Sequence, residues 1–189
     1  MYNIRPQFSS DTLARVLLVE NSNALRTVFR ILLSTDHQVE ILGEAESEEE
    51  ALGLIPRLKP NLVLIDLELN DGSGVELVRQ IRKLYPKLKI LVLSANEDEV
   101  ITQEIIASGV NAYCVKGLPI IQLIDIIHHV QDGDIWIDPT VLSNLNFDDP
   151  FSDANPAWED SLSEEMVYPN ENFHQKKTRS LSNSIFKRF

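Results

Sequence analysis

The chain has 189 residues, a length that allows one well-packed domain and an additional segment. With 43% hydrophobic and 24% charged residues, its composition is that of an ordinary soluble protein. The formal net charge of −12 disfavours non-specific binding to nucleic acid, and no apolar stretch reaches the roughly 18 residues expected of a membrane span. We therefore expect a cytoplasmic protein that associates with neither membranes nor nucleic acid.

Residues 1–14 carry no sustained pattern and are predicted to form a flexible leader. From Arg15 onward, short apolar runs alternate with helical patterns, which is typical of consecutive βαβ units. The pattern predicts an α/β fold in which helices cover both faces of a five-stranded parallel sheet. The predicted strands are residues 16–19, 39–45, 62–65, 89–93 and 112–115.

The first two helices have recognisable start signals. Ser22 is a suitable N-cap for the first helix, whose apolar residues Leu25, Val28, Phe29 and Leu32 are predicted to lie on one face. Ser47 begins a capping box for the second helix, which is expected to stop before Pro56 because proline disrupts a helix interior.

The fourth helix is predicted to begin near Asn96, and the fifth to run from Pro119 to about Gly133. The fifth is apolar on nearly all sides, so one face is expected to pack on the sheet and another to remain for a partner or a second copy.

Residues 139–189 differ in composition from the rest of the chain. Residues 139–175 contain eight acidic residues and no lysine or arginine, whereas residues 176–189 contain five basic residues and no acidic ones. Without an apolar period, this segment is predicted to be a disordered tail with opposite charge at its two ends.

Polar side chains follow four of the predicted strands. Glu20 and Asn21 come after the first strand, Asp66 after the third, Ser94 after the fourth and Lys116 after the fifth. The carboxyl ends of parallel strands meet at one edge of the sheet, where open α/β sheets bind ligands. Asp66 is therefore a candidate nucleophile for a phosphoryl group, with Lys116 and Ser94 placed to hold its oxygens.

The same edge offers oxygen atoms to a divalent cation. Glu20 and Asp66 can supply carboxylates and Glu68 a main-chain carbonyl, and these are ligands that Mg²⁺ prefers. The sequence therefore predicts a magnesium site beside the candidate nucleophile.

Residues 15–138 resemble the receiver domain of two-component response regulators. Asp66 matches the phosphoacceptor, and Ser94 and Lys116 match the hydroxyl residue and the lysine after strands four and five. Tyr113 matches the aromatic switch position. The resemblance implies a flavodoxin-like, doubly wound sheet with strand order 2-1-3-4-5. It also implies a phosphoprotein that is not an enzyme beyond slow self-phosphorylation and self-dephosphorylation.

Residues 109–117 and 133–139 resemble the NarL/FixJ-type subgroup, whose receivers usually precede a DNA-binding domain, and residues 71–74 match the loop after the phosphoacceptor. The tail of 139–189 lacks the apolar pattern of such an output domain. The resemblance therefore implies a stand-alone receiver. It would take a phosphoryl group from a histidine kinase or phosphotransfer protein. It would then signal to a protein partner, or as a homodimer, through the surface of helix four, strand five and helix five.

Two positions depart from the family pattern. Asn21 stands where a second acidic residue normally contacts Mg²⁺. Its amide oxygen can still coordinate the ion, but one negative charge is lost, so magnesium binding is expected to be weak. Asn70 stands where the following loop usually has proline. These departures leave a second hypothesis open, that of a phosphorylation-independent receiver acting as an interaction module. Two further alternatives are an aspartate-nucleophile phosphatase using Glu68 as its second acid and DNA binding by the basic end of the tail.

Overall fold

The computed structural model describes residues 13–69, 74–95 and 98–144, which form a six-stranded, wholly parallel sheet with helices on both faces. The strand order is β2-β1-β3-β4-β5-β6, so the predicted flavodoxin-like order is confirmed and extended by one strand. The strands are β1 Ala14–Val19, β2 Val39–Ala45, β3 Leu62–Asp66, β4 Lys89–Ser94, β5 Ala112–Val115 and β6 Trp136–Ile137. The helices are α1 Asn23–Leu33, α2 Glu48–Leu58, α3 Gly74–Leu84, α4 Glu99–Ala107, α5 Ile120–Asp132 and α6 Pro139–Asn144.

The core consists of two apolar layers, one on each face of the sheet. Successive side chains of a strand point to opposite faces. In β1, Leu17 and Val19 accordingly join the layer beneath α2 and α3, whereas Val16 and Leu18 join the layer beneath α1 and α5. The central strands β1, β3 and β4 are buried on both sides, which explains their nearly continuous apolar sequences.

The sixth strand was not predicted. Trp136 lies beside Ala112 and Ile137 beside Tyr113, and the Asp138 N–H donates to the Tyr113 carbonyl oxygen at 2.9 Å. Two residues are too few to show a period, so the prediction of five strands was one short.

The helix α6 lies within the segment predicted to be a disordered tail. Its Val141 and Leu142 pack against the core, so this first part of the segment belongs to the folded domain. At the other end of the chain, Ala14 is the first residue of β1 and is fully buried, although it was assigned to the leader. The rest of the predicted leader and tail, residues 1–12 and 145–189, lies outside the described residues.

The predicted start of α1 is confirmed, and its predicted apolar face is buried only in part. The Ser22 hydroxyl caps the helix by accepting from the Leu25 N–H at 3.3 Å. Leu25 and Val28 are 38% and 45% exposed, whereas Leu33 is fully buried and Phe29 packs against the core. The helix therefore buries the Phe29 side of the predicted face and leaves the Leu25 and Val28 side exposed.

The second helix does not stop before Pro56 but continues to Leu58. The extra turn carries Leu58 onto the core and ends at Lys59, whose N–H donates to the Ile55 carbonyl oxygen at 2.9 Å. Lys59 has a left-handed backbone with φ of 51°, a conformation that commonly closes a helix. Burial of an apolar side chain thus outweighs the hydrogen bond that the proline cannot make.

The fourth helix begins at Glu99, later than predicted. Its N-cap is Asp98, whose carboxylate accepts from the N–H groups of Val100 and Ile101. The predicted start at Asn96 lies outside the described residues.

The fifth helix begins and ends where predicted, with Gly133 closing it at φ of 105°. Its apolar surplus, however, is covered by β6 and α1: Trp136 and Phe29 pack in the same layer as its leucine, isoleucine and valine side chains. Among its large apolar side chains, Ile121 is strongly exposed, at 62%. The expectation of a free apolar face on this helix is therefore wrong.

In the described part of the chain, every helix is too short or too polar to cross a lipid bilayer.

Candidate functional site

The polar residues that follow the strands meet in one crevice at the carboxyl edge of the sheet. Asp66 ends β3 and is 3% exposed, and the Lys116 Nζ lies 2.6 Å from its Oδ2. Glu20 follows β1, with its Oε2 3.9 Å from the same ammonium. Ser94 ends β4, is 1% exposed, and its carbonyl oxygen accepts from the Lys116 N–H at 2.8 Å. The structure therefore brings together a carboxylate pair, an ammonium and a hydroxyl residue.

The backbone after Asp66 holds its carboxylate in place. The Glu68 N–H donates to Asp66 Oδ1 at 3.0 Å, so one carboxylate oxygen faces a main-chain donor and the other faces Lys116. Gly74 opens α3 and donates its N–H to the Leu67 carbonyl oxygen at 3.1 Å. A Cβ at this glycine would lie 2.5 Å from Leu67 Cα and 2.6 Å from the Asp66 carbonyl oxygen. The third helix can begin this close to the candidate nucleophile only because residue 74 has no side chain.

Lys116 is the positive centre of the crevice. Its Nζ lies within 4 Å of three carboxylates, those of Glu20 at 3.9 Å, Asp66 at 2.6 Å and Glu68 at 3.7 Å. Burial raises the pKa of Glu20 above its ordinary value and repulsion from Asp66 adds to this, while the Ser22 N–H and Lys116 act in the opposite direction. The lysine therefore offsets a concentration of buried negative charge.

The predicted magnesium ligands do not form a site that fits the ion. Glu20 and Asp66 present carboxylates to the crevice, but the Glu68 carbonyl oxygen accepts a hydrogen bond from Asn21 Nδ2 at 2.6 Å. Mg²⁺ demands near-octahedral oxygen ligands at about 2.0–2.1 Å, and here one predicted ligand faces an amide and another an ammonium.

Tyr113 lies inside the domain rather than at its surface. It is 1% exposed, and its hydroxyl lies 3.2 Å from the Oγ1 of Thr102 on α4. Ile137 of β6 belongs to the same apolar layer, and Val141 and Leu142 of α6 pack against it. The residue at the predicted switch position thus contacts α4 through Thr102 and pairs with Ile137 of β6, in the apolar layer on which α6 packs.

Sequence reasoning missed Arg26, which holds the loop after β1. Its Nη1 donates to the carbonyl oxygens of Glu20 at 2.6 Å and Asn21 at 3.1 Å, and its Nη2 donates to Glu46 Oε2 at 3.2 Å. An arginine near the positive end of a helix is electrostatically unfavourable. The position of Arg26 in the first turns of α1 therefore indicates, from the sequence alone, that its guanidinium binds a specific partner. Thr102 was also missed, because a threonine between Ile101 and Gln103 gives no indication of its buried partner.

The predicted loop residues Asn70 and 71–73 lie outside the described residues.

Comparison with known proteins gives one family. The family model described as "Response regulator receiver domain" matches residues 16–128. The transcriptional regulatory protein DegU of Brevibacillus brevis is 27% identical over 131 residues, covering 69% of this chain and 56% of that protein. The response regulator protein VraR of Staphylococcus aureus is 31% identical over 131 residues, covering 69% of this chain and 63% of that protein. The match thus spans about three-fifths of the length of these curated relatives.

Solved structures share the fold at low sequence identity. The isolated REC domain of RcsB from Salmonella enterica serovar Typhimurium, determined in the presence of the phosphomimetic BeF3⁻, gives a TM-score of 0.64 at 21% identity and covers 69% of this chain and 96% of that one. A two-component response regulator of the LuxR family from an Aurantimonas species gives 0.66 at 23% identity and covers 70% and 94%.

Proposed function

This chain belongs to the response regulator receiver domain family, and we propose that it accepts a phosphoryl group on Asp66 from a histidine kinase or phosphotransfer protein. Members of this family are modules of phosphorylation-based signalling and not classical enzymes. The observation that carries the proposal is the 2.6 Å contact between Lys116 Nζ and Asp66 Oδ2 in a buried crevice at the carboxyl edge of the sheet.

The chemistry follows from the residues around Asp66. A carboxylate oxygen attacks the phosphorus of a phosphohistidine, the P–N bond breaks, and the departing imidazole nitrogen takes up a proton. An acyl phosphate results. The Lys116 ammonium already contacts the attacking carboxylate and can shift to bind a phosphoryl oxygen. Ser94 ends the neighbouring strand β4, and its hydroxyl can donate a hydrogen bond to a second phosphoryl oxygen.

The signal then leaves through the elements that pack around Tyr113. A movement of Ser94 toward the phosphoryl group would loosen the packing of Tyr113, and Tyr113 contacts α4 through Thr102. The outer edge of β5 is not free for a partner, because β6 pairs with it. We therefore place the output surface on α4, α5 and the segment 136–144 that covers β5. A downstream protein or a second copy would bind there when phosphorylation shifts the population of the domain toward its active conformation.

One observation favours a second candidate function, that of a phosphorylation-independent interaction module. The Asn21 amide donates a hydrogen bond to the Glu68 carbonyl oxygen, and this oxygen is predicted to bind the cation that assists phosphorylation. Replacing Asp66 with asparagine separates the two functions. If a phosphodonor alters partner binding in the wild type but not in Asp66→Asn, the result supports the switch. If neither the phosphodonor nor the substitution alters partner binding, the result supports the interaction module.

The proposal is tested by phosphotransfer from an autophosphorylated histidine kinase carrying radiolabelled phosphate. Label is expected on the wild type and on the control Asp132→Asn, which changes an exposed aspartate at the far end of α5, but not on Asp66→Asn. Hydrogen exchange on the labelled wild type should then change in peptides covering α4 and residues 136–144. Equal labelling of Asp66→Asn would contradict the proposal.

A further inference from the structure

We infer that this chain has replaced a contact of the divalent cation in the crevice with an internal donor, the Asn21 amide. The inference rests on the proposed function for its role in signalling, but the contacts that carry it are independent of phosphorylation. It predicts a receiver whose crevice is already organised in the absence of Mg²⁺.

The donor is the side chain that departs from the family pattern. Asn21 Nδ2 lies 2.6 Å from the Glu68 carbonyl oxygen. A carbonyl oxygen can only accept a hydrogen bond, so the atom facing it must be the amide nitrogen, because the opposite orientation would press two acceptors together. An aspartate in the same place would also set two acceptors against each other, and only a cation between them would relieve the repulsion. The amide therefore makes directly the link that an aspartate would make through a metal ion.

The lysine lies beside this contact and follows the family pattern, so it is not itself the replacement. The Lys116 ammonium lies 2.6 Å from Asp66 Oδ2 and within 4 Å of carboxylate oxygens of Glu20 and Glu68. These carboxylates are the charges that remain to attract a divalent ion. Each charge that a ligand set loses lowers cation affinity strongly. With an amide in place of a carboxylate at position 21, the crevice has lost one such charge.

Together these contacts fix the loop that follows the candidate nucleophile. Glu68 donates its N–H to Asp66 Oδ1 at 3.0 Å and accepts at its carbonyl oxygen from Asn21. The carbonyl oxygen of Asn21 is in turn bound by Arg26 Nη1 at 3.1 Å. A continuous chain of hydrogen bonds thus joins α1, the loop after β1 and the loop after β3 without a metal ion.

The test is a magnesium titration of the ¹⁵N-labelled full-length chain, followed by NMR. In the wild type, the amide signals of Asp66 and Glu68 and the side-chain NH₂ signals of Asn21 should not shift. Asn21→Asp should bind Mg²⁺ at least about tenfold more tightly than the wild type. The matched control is Asn23→Asp, which adds the same charge at an exposed position two residues away and should gain no affinity. If Asn21→Asp does not fold, the wild-type titration still decides, since saturable shifts at Asp66 and Glu68 would overturn the inference.

Equal Mg²⁺ affinity in the wild type and Asn21→Asp would also overturn the inference, as would the absence of binding in a folded Asn21→Asp. A separate experiment distinguishes this failure from failure of the proposed function. Acetyl phosphate should phosphorylate the wild type at the same rate in EDTA as in Mg²⁺. Phosphorylation that requires Mg²⁺ would leave Asp66 as the acceptor and refute only the replacement. A wild type that binds no Mg²⁺ and is never phosphorylated would support the replacement and refute only the acceptor function.

Discussion

Replacing Lys116 with methionine should destabilise the domain strongly at neutral pH. Methionine keeps much of the side-chain length but removes the ammonium that lies between the carboxylates of Glu20 and Asp66, both of which have side chains only 2% exposed. Breaking a buried ion pair by removing one partner costs about 3–5 kcal/mol. Because the Lys116 side chain is 21% exposed and water therefore reaches this part of the crevice, we expect the lower end, about 3 kcal/mol.

The loss should shrink as the pH falls. The pKa of Glu20 is raised by burial and by Asp66, and Lys116 acts to lower it. An acid whose pKa is higher in the folded state holds more protons when folded, so the free energy of unfolding falls as the pH rises from its unfolded pKa to its folded pKa. Without Lys116 the folded pKa of Glu20 rises further, and that window extends toward neutral pH. Protonation at lower pH then removes much of the repulsion.

The assay is urea denaturation of the wild type and Lys116→Met at about pH 5 and about pH 7.5, from which the free energy of unfolding is compared. Lys87→Met is the control, because Lys87 is exposed and its loss should change stability by less than about 0.5 kcal/mol. The reasoning is refuted if Lys116→Met lies within about 1 kcal/mol of the wild type near neutral pH, or if its deficit is the same at both pH values.

Three further predictions follow from single contacts. Gly74→Ala should lower the free energy of unfolding by about 3 kcal/mol, because its Cβ would meet a backbone atom at 2.5 Å. Gly53→Ala, in open space within α2, should raise the free energy of unfolding by about 0.5–1 kcal/mol. Urea denaturation measures both, and equal effects would contradict the packing argument. Trp136→Phe should cost about 1–3 kcal/mol in thermal unfolding, because the smaller ring leaves a cavity in the core while no hydrogen bond of Nε1 to the described residues is lost. A loss below about 0.5 kcal/mol would contradict this packing argument. Arg26→Met should slow phosphoryl labelling of Asp66 while the circular dichroism spectrum stays unchanged. Arg26→Lys should partly restore the rate. An unchanged rate in Arg26→Met would show that Arg26 does not position the loop after β1.

The sheet and the crevice were predictable because both depend on short-range patterns. Each central strand is an unbroken apolar run, and each run ends in a polar residue, so parallel pairing brings Asp66, Lys116 and Ser94 together whatever the details of the helices.

The helix faces were harder to predict. The helix α1 has apolar residues on two sides, and the buried side includes Phe29, Leu33 and the charged Arg26. The sequence places Phe29 on the same face as Leu25 and Val28, yet of these three only Phe29 packs against the core. Only the three-dimensional structure shows that main-chain carbonyl oxygens satisfy the guanidinium.

Elements that depend on distant neighbours could not be read from the sequence. The strand β6 is defined by two residues that pair with β5, and the same strand covers the apolar surplus of α5. Likewise, the donor role of Asn21 depends on a carbonyl group 47 residues away. The sequence identified Asn21 as unusual but gave no indication of its hydrogen-bond partner.

The central claim is that Asp66 accepts a phosphoryl group, and intact-mass analysis after incubation with acetyl phosphate tests it most directly. The wild type should gain the mass of a single phosphoryl group, and Asp66→Asn, treated in parallel, should gain none. A folded wild type without an adduct, or an adduct that persists in Asp66→Asn, would contradict the claim.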